Sequence, residues 1–223
     1  MSSTPTSPLT RIVLTGGPGA GKTVIAEALA DGAHLAAWRE EVGGVMLVPE
    51  AATQVYAARR TRWDRLDADG RREVQREIYR FQRVQEDRLA ALAYERGDRL
   101  LLLDRGTIDG SAYWPDGPGA YWRDQGVDPT DELMRYDAVL LLESAAALGS
   151  HLYDGEASNR ARFEDARGAL ETGRLLASVW CGHPRLIRIP ATNDLEEKIR
   201  AVANAIGRLV QDFQPGAISD SDG

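Results

Sequence analysis

The chain has 223 residues and a formal net charge of −7. That is long enough for one domain with a substantial core, and the charge has the wrong sign for a protein whose main partner is a nucleic-acid backbone. Its single cysteine, Cys181, excludes internal disulfides and fits a reducing compartment. No apolar run approaches the ~18–20 residues of a membrane span, and the first residues lack the apolar centre of a signal peptide, so a cytoplasmic location is expected.

Residues 1–9 are rich in Ser, Thr and Pro and are expected to form a disordered tail, as are residues 214–223; residues 10–213 are expected to fold as one domain. Arg11–Thr15 reads as a short apolar strand, followed by a glycine-rich turn and a helix over Lys22–Ala30. Val45–Pro49 predicts a second strand, ended by a proline that has no N–H for the ladder. A helix over Glu50–Ala58 leads into an arginine-rich connection. Val74, Ile78, Phe81, Gln85 and Leu89 then fall on one stripe of a long helix ending near Gly97.

Leu100–Leu103 is apolar on both faces, the mark of a central strand, and Ala138–Leu142 is another. A helix over Phe163–Trp180 precedes a last strand, Arg185–Ile189. Leu195, Ile199, Val202, Ile206, Leu209 and Phe213 predict the final helix, with Asp194 and Glu197 as a capping pair. Strands alternating with helices imply an α/β fold of three layers: a five-stranded parallel sheet with helices on both faces. Such sheets bind ligands at the carboxyl ends of their strands.

The first such end carries the clearest motif. Gly16–Thr23 reads Gly-Gly-Pro-Gly-Ala-Gly-Lys-Thr and matches the P-loop pattern G-x-x-x-x-G-K-[ST]. Backbone at Gly17, Gly19, Ala20 and Gly21, with Val24 just inside the helix, is predicted to wrap a phosphate; Lys22 is predicted to reach the β- and γ-phosphates and Thr23 to bind Mg²⁺. A glycine-rich turn that binds nothing is the plainer alternative. Lys22 argues against it: apart from Lys22 and Lys198, all 27 basic residues are arginine, and a lysine stands at the position where the motif needs one.

The other strand ends supply further candidates. Asp104 is placed as a Walker-B-like acid for Mg²⁺, or else as a polar cap on the following loop. Glu50 is a base for an acceptor hydroxyl, or only a first-turn carboxylate favoured by the helix dipole. Arg105 contacts a transferring phosphate, pairs with Glu50 or Asp104, or does both. Glu143 and the loop Pro190–Asn193 complete the edge, with Asn193 as a nucleotide contact.

Arg160 and Arg162 lie in a polar stretch that is read as a lid over about residues 151–167, or as an ordinary solvated helix start. Tyr113, Trp114, Tyr121 and Trp122 stack on an aromatic acceptor or form a satellite core. His34, His151 and His183 show no metal-ligand spacing and are read as structural.

Leu14–Thr23, Val48-Pro-Glu-Ala-Ala-Thr53, Asp104-Arg-Gly-Thr-Ile-Asp-Gly-Ser-Ala-Tyr113 and, more weakly, Arg160-Ala-Arg-Phe-Glu-Asp-Ala166 together resemble an AAA-type P-loop family. That family includes the ribosylnicotinamide-kinase domain of NAD-salvage proteins and a eukaryotic trafficking ATPase-like protein. The layout is also similar to that of nucleoside and nucleotide kinases. The resemblance implies that Glu50 is a catalytic base, that Asp109 and Tyr113 belong to the acceptor pocket, and that Trp114–Thr130, which departs from the family pattern, lies where the acceptor binds.

Two functions fit. One is a Mg²⁺-dependent phosphotransferase moving the γ-phosphoryl of ATP to a small hydroxylated acceptor. The other is a nucleotide-gated protein with a protein or lipid partner. A deep pocket holding Glu50 and Asp109 favours the first; an exposed apolar patch and a shallow cleft favour the second. No nucleic-acid partner is expected, and a homodimer is left open.

Overall fold

The computed structural model describes residues 9–32, 34, 38, 42–148 and 166–213. Five strands form one parallel sheet in the order β2-β3-β1-β4-β5, with β1 spanning Thr10–Thr15, β2 Val45–Val48, β3 Leu100–Asp104, β4 Ala138–Leu142 and β5 Leu186–Ile189. The predicted three-layer α/β architecture is present. The central strand is β1, flanked by the wholly buried β3 and β4.

Side-chain parity divides the sheet into two faces. Ile12, Leu14, Leu100, Leu102, Ala138 and Leu140 point to one face, where they pack against α1 (Lys22–Ala30) and α8 (Leu195–Asp212) through Ile25, Leu29, Val202 and Ile206. Val13, Val48, Leu101, Leu103 and Val139 point to the other face. There they meet Ala90 and Ala93 of α3 (Ala68–Arg96) and Trp180 of α7 (Ala166–Trp180). Helix α2 (Ala51–Arg59) follows β2 and packs on α3.

The same alternation, continued past each strand's last residue, sorts the functional edge. Asp104 has the parity of Leu100 and Leu102 and so turns to the α1 face. Thr15, Glu50 and Arg105 have the parity of Val13, Val48 and Leu103 and turn to the α3–α7 face.

Three features differ from expectation. The long helix buries only part of its apolar stripe: Val74 is buried and Ile78 and Leu89 are half-buried, but Phe81 is 38% exposed, while Gln75, Tyr79, Gln82 and Glu86 are buried. Tyr79, Gln82 and Glu86 have partners that an apolarity count ignores. Glu86 accepts from the Tyr136 hydroxyl (2.9 Å), Arg135 Nη2 (2.7 Å) and Gln82 Nε2 (2.9 Å). Burial is cheap where every polar atom is satisfied.

The Gly/Pro-rich Trp114–Thr130 contains α5 (Pro118–Gln125) and the start of α6 (Pro129–Leu133), after the short turn α4 (Asp109–Ala112). A proline opens both α5 and α6, where its missing N–H costs no hydrogen bond. The Asp194–Glu197 box is half formed. Asp194 Oδ1 accepts from Glu196 and Glu197 N–H, but Glu197 binds Thr192 Oγ1, and Thr192 in turn takes the Asp194 N–H.

Among the described residues no helix is long and apolar enough to cross a membrane. The termini and most of the expected lid lie outside the described residues.

Candidate active site

The loop after β1 is shaped by what crowds it. At Gly16 (φ +145°) a Cβ would run into the Leu142 carbonyl oxygen of β4, and at Gly17 it would come within 2.5 Å of the Ala169 carbonyl oxygen of α7. Only glycine fits between those two backbones. Ser144 Oγ braces the outside of the loop by donating to Pro18 O at 2.7 Å. Gly21, in the left-handed region, starts α1 with no side chain capping it, so the positive helix end is left for an anion.

Lys22, 8% exposed, folds over the loop and donates to Gly16 O (2.9 Å) and Gly17 O (3.0 Å). Gly19 adopts φ +70°, Ala20 is buried and Val24 is half exposed on the outer side of α1. Asn193 is exposed in the β5–α8 connection, and Leu195, two residues on, reaches Gly21. Glu143 ties β4 to the same connection: its carboxylate accepts from Ala191 N (3.3 Å), and its carbonyl accepts from Lys198 Nζ (2.5 Å). Burial pushes the Lys198 ammonium down to about 8, opposed by the Glu143 charge.

Thr23 donates from Oγ1 to Asp104 Oδ2 at 2.6 Å. Asp104 Oδ1 is buried and accepts no hydrogen bond among the described residues. Burial first, and then the neighbouring Glu50 charge, hold the Asp104 carboxyl above the usual carboxylate range. A hydroxyl beside a buried carboxylate oxygen that accepts no hydrogen bond from the described residues, next to a phosphate loop, suits a hard divalent cation. The residues present therefore fit Mg²⁺.

On the other face the acceptor-side residues converge. Arg105 donates from Nε to Glu50 Oε1 (2.6 Å) and from Nη1 to Asp109 Oδ2 (2.7 Å). Its Nη2 is buried with no hydrogen-bond partner among the described residues, and its backbone lies at φ +79°, a strained value for a non-glycine residue. Burial works against its charge, but the acidic groups of Tyr113, Glu50, Asp109 and Asp104 more than offset that and hold it protonated.

Glu50 stands at the N-cap of α2, but its side chain caps nothing. Besides Arg105 it accepts from Thr53 Oγ1 at 2.6 Å. The helix-dipole reading would have left that carboxylate on its own helix end; instead it is held by a cation and a hydroxyl. Asp109 accepts from Thr15 Oγ1 (2.8 and 2.9 Å), Trp180 Nε1 (2.6 Å) and Arg105, so its oxygens are committed to protein donors.

Behind these residues a pocket opens between α2, α3 and the segment 105–121; Arg105 and Asp109 line it and Glu50 does not. Trp63 and Tyr113 meet edge to face at 5.8 Å on its side, and Gln75, Tyr79 and Gln82 face it from α3. The four aromatic residues divide. Tyr113 lines the pocket, whereas Trp114 and Tyr121 pack with Tyr79 as a satellite core, with Trp122 half-buried against it, to which Tyr121 adds pocket wall.

Arg160 and Arg162 lie outside the described residues, as does His151. Of the expected lid, Arg167 is described and pairs with Glu171 at 3.0 Å. His183 is structural: Nε2 lies 2.9 Å from Tyr136 O, and Nδ1 accepts from Arg185 N. Thr15, Thr53, Gln75 and Trp180 were not anticipated. Strand parity could have found Thr15; nothing in the apolar run around Trp180 announces its bond to Asp109.

The model of a family described as AAA domain matches residues 11–198. No curated protein matches the chain. Among solved structures, NadR in complex with NAD and AMP-PNP superposes with a TM-score of 0.60 at 14% identity, covering 91% of this chain and 50% of that one. NadR in complex with NR gives 0.62 at 13% identity, covering 91% and 52%. This chain thus spans about half the length of those relatives, and at such identity the likeness is one of fold. Through the P-loop, the five-stranded parallel sheet and the family match over most of its length, the chain belongs to the AAA-domain family of P-loop nucleotide-binding proteins.

Proposed function

We propose that the protein is a phosphotransferase that moves the γ-phosphoryl group of ATP to the hydroxyl of a small acceptor held in the α2–α3 pocket. The observation that carries this reading is the placement of the Glu50–Arg105 pair. It joins the wall of the α2–α3 pocket, where Arg105 stands, to the edge where Lys22, Thr23 and Asp104 gather. A protein that only switched with its nucleotide would have no need of a buried carboxylate–guanidinium pair beside a second pocket. The AMP-PNP bound to NadR supports a triphosphate as donor.

In this reading the loop 16–23 binds the triphosphate, and Lys22 exchanges its two loop carbonyls for phosphate oxygens. Thr23 and Asp104 would hold Mg²⁺, which supplies charge neutralisation on the phosphates when bound. Glu50 accepts the acceptor's hydroxyl proton as its oxygen forms a bond to the γ-phosphorus and the bond from that phosphorus to the β–γ bridging oxygen breaks, leaving ADP. Arg105 orients Glu50 and offers its remaining N–H to the charge that develops. Cytoplasmic placement and a small-molecule partner complete the proposal.

The test is transfer of labelled γ-phosphate from ATP to a panel of small hydroxylated compounds, with ATP hydrolysis recorded alongside. Transfer to at least one compound, abolished in Lys22→Ala, is expected. ATP binding with hydrolysis alone, across a panel that includes nucleosides, sugars and aromatic alcohols, would overturn the reading in favour of a nucleotide-gated binding protein.

A further inference from the structure

The arginine-rich stretch after α2 is not used by the function proposed above, and one guanidinium beside it is held differently from its neighbours. Arg59 pairs with Glu73 and Glu77, Arg62 with Asp64, Arg72 with Asp69 and Asp116, and Arg76 with Asp124. Arg71 forms no ion pair with any described carboxylate. Its guanidinium carbon lies 4.5 Å from the centre of the Trp63 ring, and its Nε is buried without a hydrogen-bond partner among the described residues.

Helical spacing gives Arg71 its direction. Gln75, Ile78 and Gln82 of α3 line the pocket, and Arg71 precedes them by four, seven and eleven residues, which places it on the same stripe at the mouth. Helical side chains lean toward the N-terminus, which carries Arg71 further outward over Trp63, itself a pocket residue. Below it, the Gln75 amide is buried, faces the pocket and makes no hydrogen bond to a described residue.

We infer that the acceptor carries an anionic group, a carboxylate or a phosphate, which Arg71 receives at the mouth of the pocket while the acceptor's hydroxyl reaches past the wall residue Arg105 to its partner Glu50. The inference rests on the phosphotransferase reading and narrows its substrate class. In an acidic chain where Arg59, Arg62, Arg72 and Arg76 are paired with carboxylates, a guanidinium fixed on an aromatic face with an unmade hydrogen bond is arranged for a ligand's oxygens. The planar surfaces of Trp63 and Tyr113 fit an aromatic or heteroaromatic body between the two ends.

Three matched probes test it by calorimetry on protein loaded with Mg²⁺ and AMP-PNP: 3-(hydroxymethyl)benzoate, 3-(hydroxymethyl)phenyl phosphate and the neutral 3-(hydroxymethyl)benzamide. At least one anion should bind about tenfold or more tightly than the amide, as one charge-assisted contact implies. The better anion identifies its chemistry. In Arg71→Gln that preference should vanish while AMP-PNP affinity stays unchanged, and in Arg60→Gln it should persist. Equal binding of amide and anions, a preference that survives in Arg71→Gln, or no binding by any probe would overturn the inference. Transfer from ATP to a neutral acceptor would overturn it while sparing the phosphotransferase reading; anion binding with no transfer to any acceptor would overturn that reading instead.

Discussion

Lys22 is held by two carbonyls five and six residues behind it, whereas Arg105 is held by a carboxylate 55 residues away and by Asp109, which is fixed in turn from 94 and 71 residues away by Thr15 and Trp180. The donor side of the edge is thus made of local backbone, and the acceptor side of side chains gathered from the whole chain. A phosphate-binding loop built this way needs from the rest of the fold mainly room, which Gly16 and Gly17 provide, and the brace of Ser144 on Pro18. An acceptor wall built from distant residues exists only when the entire domain has folded. Donor-side substitutions should therefore change chemistry with little effect on stability, and acceptor-side substitutions should change both.

The largest effect tests the donor half. Lys22→Ala should cut phosphoryl transfer by on the order of 10³-fold or more, the scale at which a single cation on the transferring group acts. It should leave the thermal midpoint of the ligand-free protein nearly unchanged. Kinetics and a melting curve on the same preparation check this; a large loss of stability would show that the loop is not self-contained.

Glu50→Gln probes the other half. Transfer should fall in kcat by ~10²–10⁴-fold, while ATP hydrolysis falls far less because water needs no acceptor pocket. Unlike a helix-end carboxylate worth ~0.3–1 kcal/mol, Glu50 neutralises a buried guanidinium, so a stability cost of about 1–3 kcal/mol is expected alongside. Transfer at the wild-type rate would remove Glu50 from the chemistry.

Asp104 gives a pH signature where the two halves touch. Its folded pKa is raised, so the stability it contributes is complete below its unfolded value near 4 and is lost as pH rises through the higher folded value. Asp104→Asn should therefore raise the midpoint of the ligand-free protein at pH 7. The stabilisation that Mg²⁺ adds to nucleotide-loaded wild type should grow from pH 4.5 to 7 and be absent in the mutant. A midpoint that falls at pH 7 would show that the charged carboxylate is welcome where it stands.

The smallest effect sharpens the contrast. Trp180→Phe removes one N–H from Asp109 while keeping an aromatic in place, and should cost about 1–2 kcal/mol. Transfer should slow by less than about tenfold, and ATP affinity should not change. Calorimetry and unfolding by denaturant measure the two. A loss of ATP affinity would mean that the acceptor wall reaches into the phosphate loop.

The same contrast explains what the sequence made visible. The P-loop, the strands and the first helix follow from neighbouring residues, so Lys22–Ala30 and Ala138–Leu142 coincide with their predicted bounds. Glu50, Asp104 and Arg105 were found because they end strands, and parity then explains why Asp104 faces Thr23 while Arg105 faces Glu50. The long helix is turned partly away from its apolar stripe, because its buried side also holds Gln75, Tyr79, Gln82 and Glu86, and the partners of the last three at positions 105, 132, 135 and 136 cannot be inferred from helical periodicity. Trp180 was invisible for the same reason. Its role depends on which side chain waits at the far end of a crossover.

The use of lysine has a practical consequence. Both lysine side chains of this chain are buried at the ligand-binding edge, Lys22 at 8% and Lys198 at 4% exposure, while arginine supplies the charge elsewhere. The outer surface of the domain thus offers no side-chain amine to acylating reagents, cross-linkers or lysine-modifying enzymes. Among side chains, amine chemistry on the folded protein becomes a reporter of the phosphate loop and of the β4–α8 corner. Lys198, with its pKa pushed down to about 8, would react in mild alkali once exposed. Loss of label at Lys22 on adding a triphosphate would read out occupancy directly by peptide mass, without a mutation and without an assay for the reaction.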